Sequence, residues 1–349
     1  MIPLSSPEEL RSLFPSLPQD LFAVEGWRQT VADILSGKDR RLLIIVGPCA
    51  IHRIDATIEY VSRLRRLSQE LSDQLFVVMR AYVEKARSRS DWKGFLYDQR
   101  DAASSIQQGI YLSRQLFIEL VRGGIPIAME FLNPLTADYL SDLVTWGCIG
   151  ARTVQSSPHR ELASRLPMPV GMKNAPDGSV EAAVHGVAAA RQGQTCLAIG
   201  PDGRVCTLTS PGNPFAHLVL RGGLPGPNFQ LPHIQEASSL LRQSGLLDGI
   251  VVDCSHGNSR WGFERQPEVF HKVLDEALSG SSVRGLMLES FLLDGKQKDL
   301  LPCATSDEQR QRIMYGASSV DGCLGWESSE ALLRTAHAKW AQSKECVCC

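Results

Sequence analysis

Arg41-Leu42-Leu43-Ile44-Ile45-Val46-Gly47-Pro48-Cys49-Ala50-Ile51-His52 contains five consecutive apolar residues, the pattern of a buried strand. Gly47 and Pro48 end the run and expose Cys49 at its tip. The design recurs in Gly249-Ile250-Val251-Val252-Asp253-Cys254-Ser255-His256 and in Arg284-Gly285-Leu286-Met287-Leu288-Glu289-Ser290, each an apolar run closing on polar residues. Asp321 follows in a Ser/Gly-rich loop. Strands that deliver Cys49, His256, Glu289 and Asp321 to one end imply a metal site. A set mixing thiolate, imidazole and carboxylate suits Mn, Fe, Co or Zn, whereas Mg and Ca prefer oxygen alone.

Outward from that strand, short apolar runs occur at 42–46, 75–79, 126–129, 147–151, 169–172, 195–199, 249–252 and 284–288. Eight strands with helices between them predict an α/β fold, the (β/α)8 TIM barrel. Ile58, Val61, Leu64, Leu67 and Leu71 line one face of a helix over 56–71. A second helix over 106–121 ends at Gly123-Gly124, a C-cap signal. Further helices are expected at 136–145, 158–165, 180–191, 234–244, 266–278 and 328–342. Turn residues around two β-like runs between about 200 and 220 predict a hairpin insertion after strand six. Residues 1–40 read as an N-terminal extension outside the barrel, of the kind that serves subunit contacts, and 41–345 as the catalytic barrel domain.

A chain of 349 residues is long enough for one large α/β barrel. The net charge of -2 and pI near 6.5 argue against a nucleic-acid partner, because neutralising phosphates needs a basic excess. No stretch reaches the roughly 18 apolar residues of a membrane span, and no basic segment with an apolar core opens the chain. The expectation is a soluble cytoplasmic protein without a membrane partner. The ten cysteines are scattered and lack zinc-finger spacing, so most read as reduced core thiols. The Cys346-Val347-Cys348-Cys349 end reads as a frayed tail.

The active site of such a barrel lies where its strands end. Those ends carry Arg80, Lys85, Arg87, Arg152, Lys173 and Arg221, with Glu130 after the third strand. Without counter-anions these cations would repel one another by on the order of several kcal/mol. The economical explanation is a multiply anionic substrate held by Arg forks and Lys point charges.

These motifs resemble the type I 3-deoxy-D-arabino-heptulosonate 7-phosphate (DAHP) synthases of the shikimate pathway. The resemblance runs from about Arg41 to about Arg334. It rests on Gly47-Pro-Cys-Ala-Ile-His52, Val78-Met-Arg80 through Trp92-Lys-Gly94, Glu130-Phe-Leu132, Trp146-Gly-Cys-Ile-Gly-Ala-Arg-Thr153, His159-Arg-Glu-Leu-Ala-Ser164, Pro169-Val-Gly-Met-Lys-Asn174, Leu220-Arg-Gly-Gly223, Asp253-Cys-Ser-His-Gly-Asn258 and Gly325-Trp-Glu327. It implies a metal-dependent condensation of phosphoenolpyruvate with erythrose 4-phosphate and water, releasing phosphate. By motif match Cys49, His256, Glu289 and Asp321 correspond to metal ligands. Arg80, Lys85, Arg152, Lys173 and Arg221 correspond to residues around phosphoenolpyruvate. Arg87 and Ser88 fall where the aldehyde's phosphate is held, and Glu130 beside the reacting carbons; Lys85 is the expected proton carrier. The expected assembly is a homodimer or homotetramer.

The chain departs from the family pattern at Lys85-Ala86-Arg87-Ser88, where Lys-Pro-Arg-Thr is usual, so that a fixed φ is lost. Ala50 and Arg53 replace Ser and Asp, and Gly200-Pro-Asp-Gly203 replaces a Thr-Lys-Trp-Gly stretch. Pro167 stands in the region of the aromatic amino-acid feedback site, where serine is common, and predicts weakened or altered feedback. The competing readings are the same chemistry on another aldehyde and a non-catalytic ligand-binding paralogue. A metallohydrolase would want more His ligands and fewer cations.

Overall fold

The computed structural model describes residues 2–86, 92–99, 105–297 and 315–345. Eight parallel strands close into a barrel: β1 (Leu42–Gly47), β2 (Leu75–Arg80), β3 (Ile127–Glu130), β4 (Trp146–Ile149), β5 (Val170–Lys173), β8 (His217–Leu220), β9 (Ile250–Asp253) and β10 (Val283–Glu289). Around the barrel the order is β1-β10-β9-β8-β5-β4-β3-β2. The uninterrupted apolar run of β1 follows from burial on both faces. Leu43 and Ile45 point into the barrel with Val78, Ala128, Val219, Val251 and Met287. Leu42, Ile44 and Val46 belong to the outer layer with the helices.

The helices are α1 (Pro7–Leu13), α2 (Pro18–Leu35), α3 (Ile54–Glu70), α4 (Ile106–Arg122), α5 (Ala137–Leu140), α6 (Ser157–Arg165), α7 (Glu181–Arg191), α8 (Leu231–Gln243), α9 (Gln266–Leu278) and α10 (Trp326–Glu345). Val61, Leu64 and Leu67 of α3 are buried as the sequence predicts, while Ile58 is half-buried and Tyr60 is buried beside them. Ser105 caps α4 by accepting from Gln108 N–H, and Gly124, at φ 79°, supplies the left-handed residue after its end.

The barrel and the hairpin are both present, but the run 195–199 is not a barrel strand. It lies in β6 (Gln194–Ile199), which pairs antiparallel with β7 (Val205–Ser210), so the hairpin precedes the sixth barrel strand. That strand is His217–Leu220, which the sequence reading gave to the hairpin. Burial explains the exchange. In β6 Cys196 and Ala198 are buried while Leu197 is 70% exposed, the alternation of a one-sided ribbon, whereas all four residues of β8 are buried. His217 conceals the strand in sequence. It sits inside the barrel as a neutral imidazole, held down to about 4 by burial, accepting from Trp146 Nε1–H at 3.1 Å and paired through Nδ1 with Phe215 O at 2.9 Å.

The last turns of α2, within the N-terminal extension, pack into the barrel's core. Val31, Ile34 and Leu35 of α2 cluster with Leu43, Ile45 and Trp146 of the barrel interior, so α2 plugs the end opposite the strand C-termini. Arg28 fastens it to the carbonyls of Ser141 and Val144, and the buried Arg114 clamps Asp142 with two 3.0 Å hydrogen bonds while reaching Phe14 O. Among the described residues no helix is long and apolar enough to cross a membrane.

Leu35→Ala should therefore destabilise the protein by about 2–5 kcal/mol in denaturant unfolding, the cost of a cavity in a dry core. Lys272→Ala, on the exposed face of α9, should stay within about 0.5 kcal/mol. Equal effects would contradict the plug.

Candidate active site

Gly47 ends β1 where a side chain has no room: a Cβ there would stand 2.8 Å from Arg80 O. Its absence lets β1 and β2 meet closely just below Cys49, which is fully buried. Donor atoms of Cys49, Glu289 and Asp321 lie within 4.8 Å of one another. Cys49 Sγ is 3.2 Å from Asp321 Oδ2. Lys85 Nζ reaches both, at 2.8 Å from the sulfur and 3.0 Å from the carboxylate.

His256 stands at the edge of this group, with Nε2 3.8 Å from Glu289 Oε1. Ligands bonded at about 2.1 Å to one ion sit roughly 3–4 Å apart, so His256 and Glu289 are spaced to share one. Its backbone is left-handed at φ 52°, uncommon for a residue with a side chain. Nδ1 lies 3.0 Å from Asp253 Oδ2, a close approach that is not a formed hydrogen bond.

Glu289 is almost fully buried and is held from every side. Arg80 Nη2 donates to its Oε1 at 3.0 Å and Ser255 Oγ to its Oε2 at 2.9 Å. Gln266, at the start of α9, bonds both its backbone groups. Burial pushes the Cys49 thiol well above its ordinary range, with the Glu289 charge adding to it. Burial also opposes ionisation of Glu289, yet His256, Arg80 and Lys85 bring its carboxyl below the usual value. The Lys85 charge holds Asp321 well below the carboxylate range. Burial works against the Lys85 ammonium, but Cys49, Asp321 and Glu289 raise it well above the ordinary lysine value. Two anionic carboxylates and a thiol around one point, with an imidazole at their edge, fit a borderline divalent cation by their donor chemistry.

The cations gather on the other side of Glu289. Arg80 is 1% exposed, lies over the Tyr82 ring at 4.1 Å, and donates to Met287 Sδ. Lys173 Nζ pairs with Asp253 Oδ2 at 3.2 Å. Burial lowers the Arg221 guanidinium and Arg152 lowers it further, so these two feel each other's charge; Asp253 and Glu130 counter them. Glu130 packs against Gly150, where a Cβ would fall 2.1 Å from its Oε1. Arg152 is exposed at the rim. Arg87 and Ser88 lie outside the described residues.

Several residues here have roles that the sequence reading did not assign. Asn174, Asn228 and Asn258 tie the ends of β5, β8 and β9. Asn174 Oδ1 accepts from Arg221 N–H, Asn228 Oδ1 from Gly222 N–H, and Asn258 Nδ2 donates to Leu220 O. Gln266 acts from a helix 23 residues before its partner. Glu84 is 1% exposed and anchors the loop that carries Lys85, accepting from Tyr97 OH at 3.0 Å and Thr136 Oγ1 at 2.9 Å.

The family model described as "DAHP synthetase I family" matches residues 17–334. The Tyr-sensitive phospho-2-dehydro-3-deoxyheptonate aldolase of Escherichia coli (strain K12) is 40% identical over 336 residues, covering 96% of this chain and 92% of the relative. The Trp-sensitive enzyme of the same organism is 38% identical over 332 residues, 95% of this chain and 93% of the relative. The solved structure of phospho-2-dehydro-3-deoxyheptonate aldolase from Francisella tularensis SCHU S4 superposes with a TM-score of 0.92 at 34% identity, covering 98% of each chain.

Glu84 generates a pH prediction. Burial raises its carboxyl from 4.5 to about 7, so the folded state binds this proton more tightly than the unfolded state. Stability therefore falls as pH rises between those values, by up to roughly 3 kcal/mol. Glu84→Gln should lose that component, and its stability relative to wild type should rise from pH 5 to pH 8 in unfolding titrations. A pH-independent difference would contradict it.

Proposed function

The chain belongs to the DAHP synthetase I family, and from that premise we propose that it condenses phosphoenolpyruvate with erythrose 4-phosphate and water to DAHP and phosphate. One observation carries the reading: the donors Cys49, Glu289 and Asp321, with His256 beside them, share the barrel mouth with Arg80, Lys173 and Arg221. A cation site beside a pocket for several anionic groups is what this pair of phosphorylated reactants requires.

In this reading Cys49, His256, Glu289 and Asp321 hold a divalent Mn, Fe, Co or Zn. When bound, the ion supplies Lewis-acid polarisation of the aldehyde carbonyl. Arg80, Lys85, Arg152, Lys173 and Arg221 hold the carboxylate and phosphate of phosphoenolpyruvate, and Arg87 and Ser88 the aldehyde's phosphate. As C3 of phosphoenolpyruvate attacks the aldehyde carbon, its oxygen gains charge and needs a proton. Lys85, kept as an ammonium by its anionic neighbours, is the donor. The C2 left electron-poor takes up water, and Glu130 accepts the proton that water releases. Collapse at C2 then breaks the bond to the phosphate oxygen, and the departing phosphate takes the hydroxyl proton as the ketone forms. The same reading expects a homodimer or homotetramer and assigns the enzyme to the cytoplasm.

The aldehyde is the open choice, because Ala86 stands where proline fixes the loop in the family pattern. With phosphoenolpyruvate and Mn(II), phosphate release should be fastest with erythrose 4-phosphate among tetrose, pentose and unphosphorylated aldehydes. A faster pentose phosphate would move the substrate assignment, and no release with any aldehyde would favour the ligand-binding paralogue. Cys49→Ala should lose at least about 100-fold in turnover together with bound metal. Full activity in metal-supplemented buffer would remove Cys49 from the ligands.

Pro167 leads to an expectation that departs from the Tyr- and Trp-sensitive relatives. Millimolar phenylalanine, tyrosine or tryptophan should inhibit steady-state turnover weakly. Strong inhibition by any of them would refute the altered feedback site.

A further inference from the structure

Asp253, the last residue of β9, is fully buried, and the chemistry above does not use it. One oxygen, Oδ2, faces two nitrogens: the Lys173 ammonium Nζ at 3.2 Å and His256 Nδ1 at 3.0 Å. The other, Oδ1, accepts from Ser255 N–H at 3.0 Å and so turns the chain from the strand into the loop that carries His256. Among the described residues Asp253 is the only acid in ion-pair contact with Lys173. The remaining charges facing it are Arg80 from β2 and Arg221 from the end of β8.

We infer that Asp253 is a positioning residue that serves metal and phosphoenolpyruvate together, orienting His256 through Nδ1 and holding Lys173 at the barrel mouth through the same carboxylate oxygen. A carboxylate oxygen 3.0 Å from Nδ1 repels a lone pair there and so favours the tautomer that carries the proton on that nitrogen. Nε2, which lies towards Glu289, is then left as the lone pair a metal needs. The same negative charge offsets the desolvation of the buried Lys173 ammonium and so keeps it available to an anion. The two ligand sites thus share one support, and a single lesion should weaken both.

This inference rests on the function proposed above, and direct binding separates the two. Asp253→Asn preserves volume and the Ser255 N–H acceptor but removes the charge. Free-ion electron paramagnetic resonance should show Mn(II) affinity weakened about 10- to 100-fold. Calorimetry on metal-free protein should show phosphoenolpyruvate affinity weakened at least about tenfold, the loss of one charge-assisted contact. Lys173→Met should weaken phosphoenolpyruvate binding and leave Mn(II) affinity within about twofold. A folded Asp253→Asn protein that retains either affinity within about twofold overturns the inference. Should that variant not fold, the 15N spectrum of wild-type His256 decides: Nδ1 protonated with Nε2 bare is expected, and the opposite tautomer overturns it. Wild-type protein that binds neither Mn(II) nor phosphoenolpyruvate would instead refute the proposed function.

Discussion

A guanidinium and a carboxylate, each about 1% exposed, face each other at 3.0 Å across the end of β1: Arg80 from β2 and Glu289 from β10. Breaking a buried pair of this kind by removing one partner costs about 3–5 kcal/mol, because the other is left charged and dry. The pair exists because closure of the parallel barrel brings the ends of β2 and β10 to either side of β1. Gly47 lets the strands approach closely enough for it to form. Arg80 also lies over Tyr82 and Glu289 is held by Ser255 and Gln266, so neither charge is free to relax.

That rigid pair divides the barrel mouth. On one side Glu289 faces Cys49, Asp321 and His256, a region of negative charge countered by Lys85. On the other, Arg80 faces Lys173 and Arg221, a region of positive charge countered by Asp253 and Glu130. The proposed reaction would place a cation in the first region and an anionic reactant in the second. Pre-organised charges of both signs cost no rearrangement when charge develops during reaction. Asp253 joins the halves, since its one oxygen touches a residue from each.

Much of this was legible in sequence because a parallel strand buried on both faces reads as an unbroken apolar run, and the residue that ends it stands at the mouth. Cys49 and Glu289 were expected at the strand ends on that ground, and the barrel places them there. The sixth strand was misread because His217 begins it, while Thr195-Cys196-Leu197-Ala198-Ile199 imitates a buried run although Leu197 faces outward. The N-terminal residues looked like an arm because no local pattern says that Val31, Ile34 and Leu35 meet the barrel interior. Gln266, Asn228 and the contacts of Asp253 escaped for a similar reason. Their partners are brought to them by barrel closure or by a turn, and residue type alone does not reveal a satisfied buried contact.

The most direct measurement is a crystal structure of the protein soaked with Mn(II) and phosphoenolpyruvate, read at the manganese absorption edge. The account predicts one anomalous peak bonded to Cys49, His256, Glu289 and Asp321 at about 2.0–2.4 Å, with phosphoenolpyruvate against Arg80, Lys173 and Arg221. An ion bound elsewhere, or phosphoenolpyruvate that leaves those three side chains untouched, would contradict it.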